Sequence, residues 1–117
     1  MAEIKFPFNV KELFQKCSKA DKFPRNDLEK QAILILILED FKDKHIYTEE
    51  EVGKIIEKHF SDSTTLRREL INYGYMKRNP EKGTYWVVKR ILTEDDIRNS
   101  TMLRQHARPY KVLSEDK

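Results

Sequence analysis

Apolar residues recur at Val10, Leu13, Phe14 and Cys17, the i, i+3, i+4, i+7 spacing of one helical face. Asn9 stands where an N-cap belongs, with Glu12 three residues later. Pro24 interrupts, because the residue before a proline is pushed out of helix. A second element starts at Asn26, which sits with Glu29 at capping-box spacing. Its body runs Ala32-Ile33-Leu34-Ile35-Leu36-Ile37-Leu38 without a polar residue. Periodicity alone cannot tell a buried strand from a helix buried nearly all round. The helix-forming lead-in Asp27-Leu28-Glu29-Lys30-Gln31 and the unbroken continuation through Glu39-Asp40-Phe41 point to a central helix.

The stretch Lys44-His45-Ile46-Tyr47 is short and β-prone. Thr48 followed by Glu49-Glu50-Glu51 is a capping box with three acids in the first turn, where the helix dipole favours negative charge. Val52, Ile55, Ile56, His59 and Phe60 then predict a helix over roughly 49–59. Ser61-Asp62-Ser63 is a polar break with capping residues, and a further helix is predicted to reach Tyr73. Gly74 stands where a helix ends with a residue at positive φ. Tyr75 to Arg78 and Thr84 to Val88 read as strands flanking an Asn79-Pro80-Glu81-Lys82-Gly83 loop, a β-hairpin. Thr93, followed by three acids, predicts a short helix. From about Gln105 the chain is polar, carries Pro109, and is expected to fray.

At 117 residues the chain is the size of one domain. Charged residues make up 37%, a level at which disorder is the first concern, yet Leu, Ile, Val and Phe account for 31 positions, enough for a small core. The longest apolar run is far below the ~18 residues of a membrane span. The N-terminus lacks a basic-then-apolar signal pattern, so a cytoplasmic location is expected. A single cysteine, Cys17, excludes an internal disulfide and a cysteine-based zinc site, and three glycines exclude a glycine-rich phosphate cradle.

The net charge of +3 conceals a pattern: +3 over residues 1–25, −4 over 26–60, +4 over 61–90 and zero over 91–117. Basic clustering is the footprint of a polyanion binder, although an ordinary solvated surface also carries it. The order helix, short strand, helix, tight break, helix, hairpin is the chain order of a winged helix-turn-helix, in which the third core helix can enter a DNA major groove. The expected fold is therefore α+β, mainly α, a helical core with a C-terminal β-hairpin wing. Residues 1–21 are read as an N-terminal helical extension, 22–90 as the winged-helix domain, and 91–117 as a partly disordered C-terminal extension.

The third core helix turns Leu66, Leu70 and Tyr73 to one side. The other side carries Thr64, Thr65, Arg67, Arg68 and Asn72, with Ile71 the odd member. Arginine can fork onto guanine, asparagine onto adenine, and hydroxyls can serve phosphates. Glu69 is the one acid between Thr64 and Tyr73. On the hairpin, Lys77, Arg78 and Lys82, followed by Lys89 and Arg90, are candidate phosphate contacts. Tyr75, Tyr85 and Trp86 are aromatic enough to stack on bases, but a core this small needs large side chains, and packing onto the helices is the expectation for most of them.

Several of these segments resemble a prokaryotic family, the domain of unknown function 2087. They are Lys22-Phe23-Pro24, the helix Gln31–Phe41, Tyr47-Thr48-Glu49-Glu50-Glu51-Val52, Asp62 to Leu70, Tyr73-Gly74-Tyr75-Met76-Lys77-Arg78 and Gly83-Thr84-Tyr85-Trp86. The resemblance spans about Lys22 to Arg90. Gly53 departs from it, standing where the family usually has Asn. Members occur alone or fused to DNA-binding regulator domains, so the resemblance implies a link to transcription, and equally a sensor or dimerisation module.

No catalytic set emerges. His45, His59 and His106 lack metal-ligand spacing and read as surface or helix-end residues, Cys17 as a small core residue, and Glu49 to Glu51 point in different directions. The expectation is a non-enzymatic regulator or regulator subunit without a cofactor or metal, binding double-stranded DNA as a possible homodimer and not a membrane. The alternatives are a protein-interaction or dimerisation module on the same scaffold, or RNA binding.

Overall fold

The computed structural model describes residues 3–111, mainly helical with one small antiparallel sheet. Helix α1 spans Val10–Ala20, opened by Asn9, whose side chain accepts the Glu12 N–H at 3.0 Å. Helix α2 spans Asp27–Ile37 and tightens into a 3₁₀ turn, Leu38–Asp40. Asn26 caps it by accepting from the Leu28 and Glu29 N–H groups, while the Glu29 carboxylate accepts from the distant Tyr110 hydroxyl.

Strand β1 is only Tyr47–Thr48, and α3 follows at once as Glu49–Glu57, opened by a complete Thr48/Glu51 capping box. Helix α4 spans Ser63–Asn72 and ends in a full Schellman arrangement. Gly74 sits at φ +83°, its N–H donates to the Ile71 carbonyl, and the Tyr75 N–H donates to the Leu70 carbonyl, both at 3.0 Å. The hairpin is β2, Met76–Asn79, and β3, Thr84–Val87. Its loop is held by the Asn79 side chain, which accepts from the Glu81 and Lys82 N–H groups. The sheet order is β1-β3-β2, with Tyr85 opposite both Tyr47 and Arg78.

The hairpin is not C-terminal. It is followed by α5, Glu94–Arg98, α6, Thr101–Ala107, and a 3₁₀ turn, Arg108–Tyr110. The expected fraying from Gln105 is not seen as far as Lys111, and residues 112–117 lie outside the described residues. The physical reason lies in α2. Its apolar run leaves no polar face, so a second cover is needed beyond the main core. On one side Ile33, Leu34, Ile37 and Leu38 join Val52, Ile56, Leu66, Leu70, Tyr75, Met76 and Tyr85. On the other, Leu28 packs with Ile4, Leu92, Ile97, Leu103 and Ala107. The segment before α1 is clipped to that leading into α5 by the Ile4 N–H, which donates to the Leu92 carbonyl at 3.0 Å. Leu13, Phe14 and Cys17 of α1 rest on the main core, where burial pushes the Cys17 thiol up from its ordinary value.

A polar seam crosses this apolar interior. The Gln31 side-chain amide donates to the Asp27 carbonyl, and the Gln31 oxygen accepts the Tyr75 hydroxyl at 2.7 Å. The Tyr73 hydroxyl donates to the Asp27 carboxylate at 2.7 Å, and the Asp27 N–H donates to His106 Nδ1 at 2.7 Å. The seam therefore ties α2 to the end of α4, to the residue before β2 and to α6. Burial raises the Tyr75 hydroxyl far above the ordinary tyrosine value, so it stays a donor at any working pH.

Tyr75→Phe leaves the buried Gln31 oxygen without its donor, and the expected loss of stability is about 1–3 kcal/mol, read as a lowered urea midpoint. Changing Gln31 to Leu in the same chain removes the orphaned oxygen, and the double variant is expected to recover part of the loss.

Candidate nucleic-acid interface

Helix α4 is set by its two ends. Asp62 accepts the Thr65 N–H at 3.1 Å and the Thr65 hydroxyl at 2.7 Å, while Leu66 and Leu70 are buried under the helix. The hydroxyl bond from Thr65, followed by its N–H bond, holds the Asp62 carboxyl below the ordinary carboxylate range. The outer face of α4 is left to Arg67, Arg68, Ile71 and Asn72.

Beside that face the hairpin presents one side of its pleat. Side chains alternate along a strand, so Met76 and Arg78 share a face with the cross-strand residues Tyr85 and Val87. The result is an open groove of about 340 Å³ lined by Glu49, Arg67, Arg68, Ile71, Asn72, Arg78 and Tyr85. The Arg78 guanidinium carbon lies 5.9 Å from the centre of the Tyr85 ring. Arg68 and Asn72 are exposed, and their side chains have no hydrogen-bond or ion-pair partner among the described residues.

Arg67 is different. Its side chain is only 17% exposed, and its guanidinium stands 3.6 Å from the Glu49 carboxylate. The same carboxylate accepts the Tyr85 hydroxyl at 2.9 Å. Burial first, and this bond second, raise the Tyr85 hydroxyl above its ordinary value. Glu49, at the start of α3, is thus the one acid in a groove with three arginines.

Of the eight residues singled out from the sequence, the groove gathers Arg67, Arg68, Asn72 and Arg78. Thr64 and Thr65 lie at the N-terminal end of α4, outside its lining, and the Thr65 hydroxyl is already committed to Asp62. Lys77 alternates with Arg78 and so faces the other side of the sheet, where Lys82 also lines a groove. Lys89 and Arg90 have other employment. Lys89 pairs with Asp96 at 3.0 Å. Arg90 donates to the Leu38 and Phe41 carbonyls at 2.7 and 2.6 Å and to Asp43 at 2.8 Å, closing the C-terminal end of the α2 segment. Ile71 and Tyr85 belong to the groove, and Glu49 does too. For Tyr85 the available signal was strand alternation against Arg78. Glu49 gave none, since its acid also suits the first turn of α3.

The histidines sit apart from the groove. His59 Nε2 is 2.8 Å from Asp40, His106 accepts at the start of α2, and the His45 ring lies 4.4 Å from that of Tyr47. Among the described residues no group of three or more His, Cys, Asp or Glu side chains could hold a metal ion, and no helix is long and apolar enough to cross a membrane.

Because Asp62 titrates below its unfolded value of about 3.9, its cap contributes fully above that pH and is lost as pH falls through the lower folded value. Asp62→Asn keeps an N-capping side chain but cannot titrate. Its unfolding midpoint is therefore expected to fall less steeply than that of the unchanged protein between about pH 5 and pH 2.

No curated protein and no solved structure matches this chain. One family profile, described as an uncharacterized protein conserved in bacteria, matches residues 20–87, from the last turn of α1 to the end of β3 and more than half of the chain. With that span covering the groove and the sheet, the chain belongs to this bacterial family, the domain of unknown function 2087.

Proposed function

We propose that the protein is a DNA-binding transcriptional regulator, or a subunit of one, built on a winged helix-turn-helix. The observation that carries this reading is the joining of Arg68 and Asn72 on the outer face of α4 to Arg78 on the adjoining hairpin, all exposed and turned into one open groove. Arginine and asparagine are the side chains that read guanine and adenine edges bidentately. The chain order α2, β1, α3, α4, β2, β3 with sheet order β1-β3-β2 supports the same reading. The covering helices α5 and α6 pack on α2 and leave the α4 face open. Two copies paired through surface outside the groove would match a palindromic site.

Arg67 favours a second reading. Its guanidinium already meets a carboxylate of its own chain, as it would on an acidic protein partner if the fold were an interaction scaffold. In the DNA reading, Glu49 instead acts as a resident competitor that phosphate must displace.

A fluorescent generic duplex titrated at rising salt separates the two. The DNA reading expects measurable affinity at low salt with a steep log–log slope, which Arg68→Ala/Arg78→Ala flattens by about one to two units. Glu49→Gln can still accept from Tyr85 while freeing Arg67, so it is expected to tighten binding and steepen the slope by up to about one unit. An unchanged slope in the arginine double variant would falsify the role given to this groove.

A further inference from the structure

The opposite face of the sheet carries a second arrangement. Of the three hairpin aromatics, most are expected to pack onto the helices, and Trp86 is the one that the buried core does not include. Tyr75 and Tyr85 are buried, and strand alternation turns Trp86, half-buried, to the sheet face opposite that of Tyr85. Lys77 lies directly across from it on β2, and continuing the β1–β3 register places Ile46 across from it on the other side. Ile46 is 57% exposed, and Val88, next on the same face, is 47% exposed. Lys44, Asn79, Lys82 and Thr84 complete, with Ile46 and Trp86, a groove of about 390 Å³. No acid lines it. Among the described residues the ammonium groups of Lys44, Lys77 and Lys82 have no ion-pair partner, and Trp86 makes no ring contact.

We propose that this outward sheet face binds single-stranded nucleic acid, with a base stacked on Trp86 over Ile46 and with Lys44, Lys77 and Lys82 on the flanking phosphates. Three observations choose the occupant. The charged side chains of the lining are all lysines, so a second copy of the chain would bring like charges together. Among the lining side chains the lysines only donate, the Asn79 oxygen is already taken by the Glu81 and Lys82 N–H groups, and the Thr84 hydroxyl is the one acceptor left. A peptide must satisfy both its N–H and C=O groups, whereas a phosphate backbone presents acceptors alone. Finally, a half-buried indole on a sheet face among lysines is a stacking platform, and a base inside a duplex cannot reach it. The site is separate from the α4 groove and does not depend on what that groove binds.

Trp86 is the one tryptophan of the chain, so its emission reports occupancy directly. The full-length protein is titrated at low salt with oligothymidylate and oligouridylate of about 15 nucleotides, with a duplex, and with polyglutamate. A saturable fall in emission with either single strand is expected, the tighter of the two distinguishing DNA from RNA. Lys77→Glu/Lys82→Glu, both at exposed positions, is expected to weaken single-strand binding about tenfold or more without moving the thermal midpoint. Trp86→Leu, followed with a labelled strand, is expected to weaken binding by a similar factor. Arg68→Ala/Arg78→Ala leaves the quenching in place, which keeps failure of this site distinct from failure of the DNA groove. Absence of quenching by both single strands, or quenching as strong with polyglutamate or with the duplex, overturns the proposal.

Discussion

The structure depends on one constraint: the unbroken apolar run at the end of α2, from Ala32 to Leu38, needs cover on more than one face. Ala32, Ile33, Leu34, Ile37 and Leu38 are fully buried, as is Leu28 a turn earlier. Each leucine and isoleucine among them gains roughly 1.5–3 kcal/mol by leaving water. One face of α2 takes α3, α4 and the sheet, and another takes α6 with the segments around Ile4 and Leu92. The segment around Ile4 meets the α5–α6 return because both are needed on the same uncovered side of α2.

Burial on that scale makes any polar group inside α2 costly unless it is paired. Gln31 and Asp27 are paired, and their partners, Tyr75, Tyr73 and His106, come from three different parts of the chain. Dispersion packing tolerates small slides between elements, whereas hydrogen bonds of 2.7 Å do not. The seam thus fixes where α4 ends and where the hairpin begins, and so it sets the angle between the α4 face and β2 from which the groove is made. Arg90, which closes the far end of the same helix, anchors the strand exit in a similar way.

The sheet then acts as a divider. Its inner face contributes Tyr85 and Arg78 to a groove in which one carboxylate, Glu49, restrains Arg67 and leaves Arg68 unpaired. Its outer face carries Trp86 and Ile46 among lysines. The positive charge of residues 61–90 is consequently divided between two surfaces and two internal tasks, those of Lys89 and Arg90.

Much of the architecture is a matter of local physics and was legible. Asn9, Asn26, Thr48, Asp62 and Thr93 all cap helices, and Gly74 takes the positive φ that ends α4, because caps and turns are decided by neighbours a few residues apart. Arg67, Arg68 and Asn72 could be named as candidates because helix periodicity says which residues share a side, and Arg78 because it is basic and on the hairpin, as is Lys77, which faces the other way. Periodicity says nothing about what stands opposite that side. The capture of Arg67 by Glu49, the withdrawal of Arg90 into the end of α2, the turning of Trp86 away from the core and the return of α5 and α6 all join residues far apart in the chain. Sequence alone therefore determined the elements as far as α5 and their capping chemistry, whereas α6 forms where the chain pattern suggests fraying. Tertiary structure decided which charges are free to meet a partner, since that depends on distances closed only when α2 is buried.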